Sequence, residues 1–268
     1  MTETSVVPST CVVLSAHLDD AVFSAWHVLS RGGTDVVVAT VFAGVPERGF
    51  VAALDRTHGA TESAAWVERR RSEDRDVLAA AGCRIVHLPL LDVLYRSMTV
   101  SALWPRVEAE PHRLLELASA EPQVHVVPET IQHALAPHID DQTAVYAPVG
   151  IGGHPDHVAV GRAALGLTAS VREVRFYADS PYYLADGMPS VITGDRNDAA
   201  DARLRDGLAE LSAPRLNLHH VELTDAEIEN KARAMRSYRT EFSAIDNDFG
   251  GATSDPSKMR HELWWSLP

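Results

Sequence analysis

Short β-branched apolar runs alternate with segments of helical periodicity along most of this chain, and no other feature constrains its fold as much. Residues 11–16 (Cys-Val-Val-Leu-Ser-Ala) have the make-up of a buried strand. Residues 20–30 then space Val22, Trp26 and Leu29 as one helical face, with Gly32-Gly33 as a stop. A second buried run follows at 35–42, so the three segments predict a parallel pair joined by a right-handed crossover. The unit repeats. A helix is expected over 62–81, ending at Gly82, then a strand at 84–88 and a helix over 101–120 broken near Pro111. Further strands are expected at 124–128, 144–149 and 174–178, with a helix over 156–170. This order predicts an α/β fold with a mainly parallel β-sheet flanked by helices. In such sheets ligands bind at the carboxyl ends of the strands.

The last third is less regular. Residues 183–230 are rich in turn residues, and Thr224 to Glu227 reads as a capping box opening a helix that runs to about Tyr238. The tail from 246 to 268, with Trp264-Trp265, is expected to close over the main domain. The reading is one domain over 1–268, with a core at about 9–182 and a smaller C-terminal extension, 183–268, packed on it.

Charge narrows the function. Basic residues number 24 and acidic ones 37, a formal net charge of −13, which argues against nucleic acid or an anionic membrane as partner. The run Arg69-Arg70-Arg71 is too short to reverse that and reads as a charged helix face. No apolar stretch is long enough for membrane insertion, and Met-Thr-Glu-Thr lacks the features of a signal peptide, so the expected location is cytoplasmic. Cys11 and Cys83 lack metal-ligand spacing and read as core thiols.

Two clusters carry chemistry. The first, Ala16-His17-Leu18-Asp19-Asp20, lies where the first strand meets the first helix; the second, Gly152-Gly153-His154-Pro155-Asp156-His157, lies between a later strand and its helix. His17 and Asp20 can converge across a tight turn, and a histidine of the second cluster can add a third ligand. Two histidines, one carboxylate and a water in the open position make a catalytic zinc arrangement. Asp19 then suits a general base, and the remaining histidine suits oxyanion stabilisation or protonation of a leaving amine. Spacing leaves open which of His154 and His157 binds metal. Taken singly, each cluster has a plainer reading: Asp-Asp at a helix start is often a cap.

On these residues the chain resembles the PIG-L/LmbE-type zinc-dependent N-deacetylase family, whose signature is Pro/Ala-His-x-Asp-Asp followed by a later His-x-Asp-His. Further similarity lies in Arg70-Arg71-Ser72-Glu73, in His87 to Asp92, in Phe176 to Tyr182 and in Lys231 to Tyr238. The resemblance implies a Rossmann-like fold and a Zn2+ site, with Fe2+ the alternative metal, made by His17, Asp20 and His157. It implies Asp19 as general base and His154 as oxyanion stabiliser or general acid. The substrate it implies is a small molecule carrying an N-acyl, chiefly N-acetyl, amide on an amino sugar, glycoconjugate or secondary metabolite.

Arg70 and Asp92 are candidate substrate-binding residues, although Arg70 with Glu73 also reads as an internal ion pair. Tyr177, Asp179 and Tyr182 are candidates for the pocket mouth, with core packing the plainer reading. His58, His133 and His138 have no ligand spacing. The chain departs from the family at Leu18, at Ala21, and at Gly152-Gly153, where some members have a preceding tyrosine. Those departures motivate a second reading, a non-catalytic sugar- or small-molecule-binding protein that keeps the fold and the metal.

Overall fold

The structure, a computed structural model, describes residues 10–31, 35–213 and 215–268. Among these residues seven strands form one sheet: β1 (Thr10–Ser15), β2 (Asp35–Thr40), β3 (Arg84–His87), β4 (Ala144–Pro148), β5 (Glu173–Tyr177), β6 (Asn217–Glu222) and β7 (His261–Ser266). Their order across the sheet is β3-β2-β1-β4-β5-β7-β6. The first five run parallel, and β7 pairs antiparallel with both β5 and β6. β1, β2 and β4 are buried along nearly their whole length, as strands covered by helices on both faces must be. That is why they read as unbroken apolar runs rather than as alternating ones.

The helices end where backbone chemistry ends them. Ser63–Ala80 stops at Gly82, whose φ of +81° lets the chain reverse while the N–H of Cys83 bonds the Leu78 carbonyl. Asp225–Arg236 opens with the expected box: the Thr224 N–H donates to Glu227 Oε2 at 2.8 Å, and the Glu227 N–H donates to Thr224 Oγ1 at 3.3 Å. The 101–120 segment breaks as expected, into Trp104–Ala109, a short turn at Pro111–Arg113 and Leu114–Ser119. The 20–30 segment divides at Ala25 into Asp20–Ser24 and Trp26–Leu29.

Two expectations are corrected. Residues 124–128 form no strand: a 3-10 turn covers Pro122–Val124 and Pro128 opens the helix Pro128–Leu135. Proline has no N–H to give a ladder and suits the first helical turn, while both edges of β1 are already taken, by β2 and β4. The tail does more than close over the domain, because β7 with its Trp264-Trp265 pair is an inner strand of the sheet and β6 forms its edge. The Gly32-Gly33 stop and the N-terminal Met-Thr-Glu-Thr segment lie outside the described residues. Among the described residues no helix is long and apolar enough to cross a membrane.

Candidate active site

The strand order reverses direction between β1 and β4, and a doubly wound sheet opens a crevice at that point, beyond the carboxyl ends of its strands. The two clusters meet there. After β1 the chain turns sharply: Ser15 Oγ donates to the His17 carbonyl at 2.6 Å and accepts the Ala21 N–H at 3.0 Å. This staple turns His17, Asp19 and Asp20 into the crevice, and all three are buried. After β4, Gly150, Gly152 and Gly153 all take positive φ. At Gly152 a Cβ would lie 2.7 Å from Tyr182 Cδ1, so glycine serves here to admit the Tyr182 ring rather than a ligand. His154 then caps the helix Pro155–Leu165, its Nδ1 accepting the Asp156 N–H at 3.2 Å, with Pro155 at the first helical position.

Three donor atoms converge. His17 Nδ1 lies 3.2 Å from His157 Nε2 and 3.4 Å from Asp20 Oδ2, and His157 Nε2 lies 3.3 Å from the same oxygen. The opposite nitrogen of each imidazole is occupied: His17 Nε2 faces Asp156 Oδ2 at 3.1 Å, and His157 Nδ1 faces Asp179 Oδ1 at 2.7 Å. Those carboxylates accept the ring N–H bonds, so two nitrogen lone pairs and one carboxylate oxygen point at a common centre. Such an arrangement can hold a cation. Ligand bonds of about 2.0–2.1 Å around one tetrahedral ion put the donor atoms roughly 3.3–3.4 Å apart, so the donor set fits a divalent metal. Protons compete for the same place. Burial opposes a charge on His17, yet Asp92, Asp156 and Asp20 more than offset it and raise its pKa well above the usual range. His17 also belongs to two overlapping metal-capable groups, one with His154 and His157, the other with Asp92 and Asp156. The second is weaker as a site, because Asp156 is already engaged by Arg96 Nη2 and by the Val93 N–H.

Asp19 and His154 flank this centre. Burial, then the neighbouring Asp20 carboxylate, push the Asp19 carboxyl up to about 7 against the pull of Arg70. Arg70 Nη2 stands 3.6 Å from Asp19 Oδ2 and its Nε 3.4 Å from Glu241 Oε1. His154 is driven well below the usual histidine range by burial and by His17 and His157, so its ring is neutral. Since its Nδ1 accepts a backbone N–H, its proton sits on Nε2, which makes it a donor.

The surrounding cleft holds about 690 Å³ and is lined by His17, Asp19, Asp20, Arg70, Asp92 and His154 among others. Asp92 caps the next short helix by accepting the Leu94 N–H, and its other oxygen lies 3.4 Å from His17 Nε2. The internal Arg70–Glu73 pair is not what Arg70 makes. Glu73 instead accepts from Thr240 N and Oγ1 at 3.1 and 2.7 Å, leaving Arg70 to bridge Asp19 and Glu241. Tyr177 is core, its hydroxyl donating to the Leu14 carbonyl, whereas Tyr182 lines the cleft. The sequence reading gave no role to Asp156, Arg96 or Glu241, and Asp179 proves to support His157 rather than to line the mouth. His58 also reaches the cleft, 3.7 Å from Glu241 Oε2. For Asp156 and Asp179 a signal existed, since each sits within two residues of a strand end or a cluster histidine. For Glu241 there was none.

A parallel α/β sheet with paired histidines and carboxylates at its switch point defines a hydrolase-type α/β protein with a metal-capable centre. The chain belongs to the PIG-L family: the family model described as GlcNAc-PI de-N-acetylase matches residues 12–168. It is therefore an enzyme of the N-deacetylase class, acting on non-peptide amide bonds. Among solved structures it is similar to the A40926 pseudoaglycone deacetylase Dbv21, at 26% identity and TM-score 0.63 over 96% of each chain. It is also similar to the zinc inhibited form of teicoplanin deacetylase Orf2, at 23% identity and TM-score 0.63 over 96% of this chain and 97% of that one. The fold extends to N,N'-diacetylchitobiose deacetylase from Pyrococcus horikoshii, at 17% identity and TM-score 0.51 over 97% of this chain and 84% of that one. No curated protein matches the sequence.

Proposed function

We propose that the chain removes an acyl group, chiefly acetyl, from the nitrogen of an amino sugar or glycoconjugate, using a divalent metal held by His17, Asp20 and His157. The observation that carries this is the triangle of His17 Nδ1, Asp20 Oδ2 and His157 Nε2, with edges of 3.2–3.4 Å. Zinc suits two imidazoles and a carboxylate, and ferrous iron suits the same donors. A similar structure named as a zinc inhibited form supports a centre that takes up zinc. When bound, such an ion supplies Lewis acidity, polarising the amide carbonyl and acidifying water at the open side of the site.

The chain's own residues do the rest. Asp19, adjacent to Asp20 and steadied by Arg70, accepts the proton of the attacking water. His154 Nε2–H donates to the carbonyl oxygen as charge develops there. A neutral donor with a fixed tautomer is suited to that role and not to giving up a proton, so His154 is the oxyanion stabiliser. The proton held on Asp19 then passes to the leaving amine. Arg70 acts first on Asp19, and Asp92, which lines the cleft, accepts a sugar hydroxyl.

The test is metal content of the purified protein together with amine release from a panel of N-acetylglucosamine conjugates. One metal per chain with release, both lost on chelation, is the expected result. Asp19→Asn should keep the metal and lose about 10²–10⁴-fold in kcat. A preserved rate would remove Asp19 from the base role. His157→Ala should lose the metal, and an unchanged content would refute the ligand assignment.

A further inference from the structure

Resting on that reading, we propose that the cleft selects a substrate whose carrier is uncharged or cationic, and that it rejects amino sugars bearing phosphate or carboxylate. Six of the residues that line it are acidic: Asp19, Asp20, Asp55, Asp92, Glu241 and Asp248. Arg70 is the single arginine or lysine among the described lining residues, and both of its close partners are carboxylates, Asp19 and Glu241. A phosphate entering the cleft would therefore meet one guanidinium, whose charge already faces two carboxylates, and no ammonium among the described lining residues. His58, at the cleft wall, is held against Glu241 as well. Leaving Asp19 aside as the proton carrier, a divalent ion and Arg70 still do not balance the remaining five carboxylates. Asp55 is drawn back from the solvent by bonds from Ser63 and Tyr95, but Asp248 is exposed at the opening.

The walls complete the description. Leu54, Leu114 and Leu115 line the cleft, as do Ile245 and Phe249, brought by the C-terminal segment. At about 690 Å³ the space falls within the ~300–1,000 Å³ typical of small-molecule sites. Apolar walls bind the faces of a carrier by area, and a carboxylate-rich floor tolerates hydroxyls and ammonium groups while repelling anions. The carrier that fits presents hydroxyls or amines to the floor and an apolar body to the walls.

Three probes test this on the full chain with the metal it carries on purification: methyl N-acetyl-β-glucosaminide, N-acetylglucosamine 6-phosphate and mono-N-acetylated chitobiose, which keeps one free amine. The expected kcat/KM for the neutral and cationic probes exceeds that for the phosphorylated one by about tenfold or more. The gap should narrow as salt is raised. Equal or better turnover of the phosphorylated probe overturns the proposal. Asp248→Lys, at an exposed position, should narrow the gap at low salt, and an unaltered gap overturns the part given to Asp248. If none of the probes is hydrolysed, the deacetylase reading fails by itself. The probes are then inert, and their Kd values follow from titration calorimetry. Weaker binding of the phosphorylated probe supports the charge rule, whereas equal binding, reversed order or no binding by any probe overturns it.

Discussion

One carboxylate, Asp179, fixes both the imidazole of His157 and the loop that carries the second cluster. Its Oδ1 accepts the His157 Nδ1–H at 2.7 Å, and its Oδ2 accepts the N–H groups of Gly150 and Ile151, each at 2.8 Å. Asp179→Asn keeps the volume but offers one acceptor oxygen to three donors. We expect the variant to fold and to bind a divalent metal about 10–100-fold more weakly, read by competition with a chelator. Unaltered affinity would mean that the ring is oriented by something else. Gly152→Ala tests a different constraint at the same loop. Its φ of +92° and the 2.7 Å approach to Tyr182 predict a loss of about 1–3 kcal/mol, visible as a lowered Tm. An unchanged Tm would show that the loop adapts freely. That the two clusters meet was legible in the sequence, because His17, Asp19, Asp20, His154 and His157 crowd into two short segments at strand ends. Their supporters were less legible: Asp179 lies in an aromatic stretch that reads as core, and Glu241 arrives from a segment without periodicity.

At the scale of elements, the C-terminal segment is registered along one face of the helix Ser63–Ala80. Tyr238 donates to Asp74 at 2.8 Å, Thr240 donates twice to Glu73, and Glu241 stands beside Arg70. These anchors carry Ile245 and Phe249 to the cleft wall, so the Arg-x-x-Glu pattern docks a remote segment to the site. Glu73→Ala removes the one carboxylate oxygen that accepts both Thr240 bonds. It should cost about 1–3 kcal/mol, raise KM more than lower kcat, and speed proteolysis around 239–251. A fall in kcat with KM unaltered would show instead that the segment acts on the chemistry. The inner parallel strands were readable because burial on both faces enforces continuous apolar runs. β6 was not readable, since Asn-Leu-His-His-Val-Glu is a half-exposed edge strand with little apolar content. β7 was missed for another reason: it pairs with β5 only after an excursion of more than 80 residues, which local pattern cannot register. The strand expected at 124–128 failed in the converse way: its apolar residues suit a strand, but Pro122 and Pro128 bracket it with a 3-10 turn and a helix start.

Across the whole molecule, the return of β7 is fastened by a buried charge network. Glu262 accepts the N–H groups of Trp26 and His27 at 3.0 and 2.8 Å, faces His27 Nδ1 at 2.6 Å, and pairs with Lys231 Nζ at 2.6 Å. One side chain thus ties the C-terminal strand to the first helical segment and to the helix Asp225–Arg236. Burial alone would raise the Glu262 pKa, but Lys231 and then His27 outweigh it and hold the carboxyl down to about 2 from an ordinary value of 4.5. The sign follows from linkage: as pH falls, the unfolded chain takes up the proton first. The stabilisation is therefore complete above about pH 4.5 and drains away as pH falls towards about 2. Glu262→Gln strands the Lys231 ammonium in the interior, so it should cost about 3–5 kcal/mol at pH 7 in urea unfolding. The gap from the wild type should close steadily between pH 4.5 and 2. Adding Lys231→Met to Glu262→Gln removes the stranded charge and should restore part of the loss. A gap that stays constant from pH 7 to pH 3, or a double variant no more stable than the single one, would mean that packing around β7, and not the charge of Glu262, holds the two ends of the fold together.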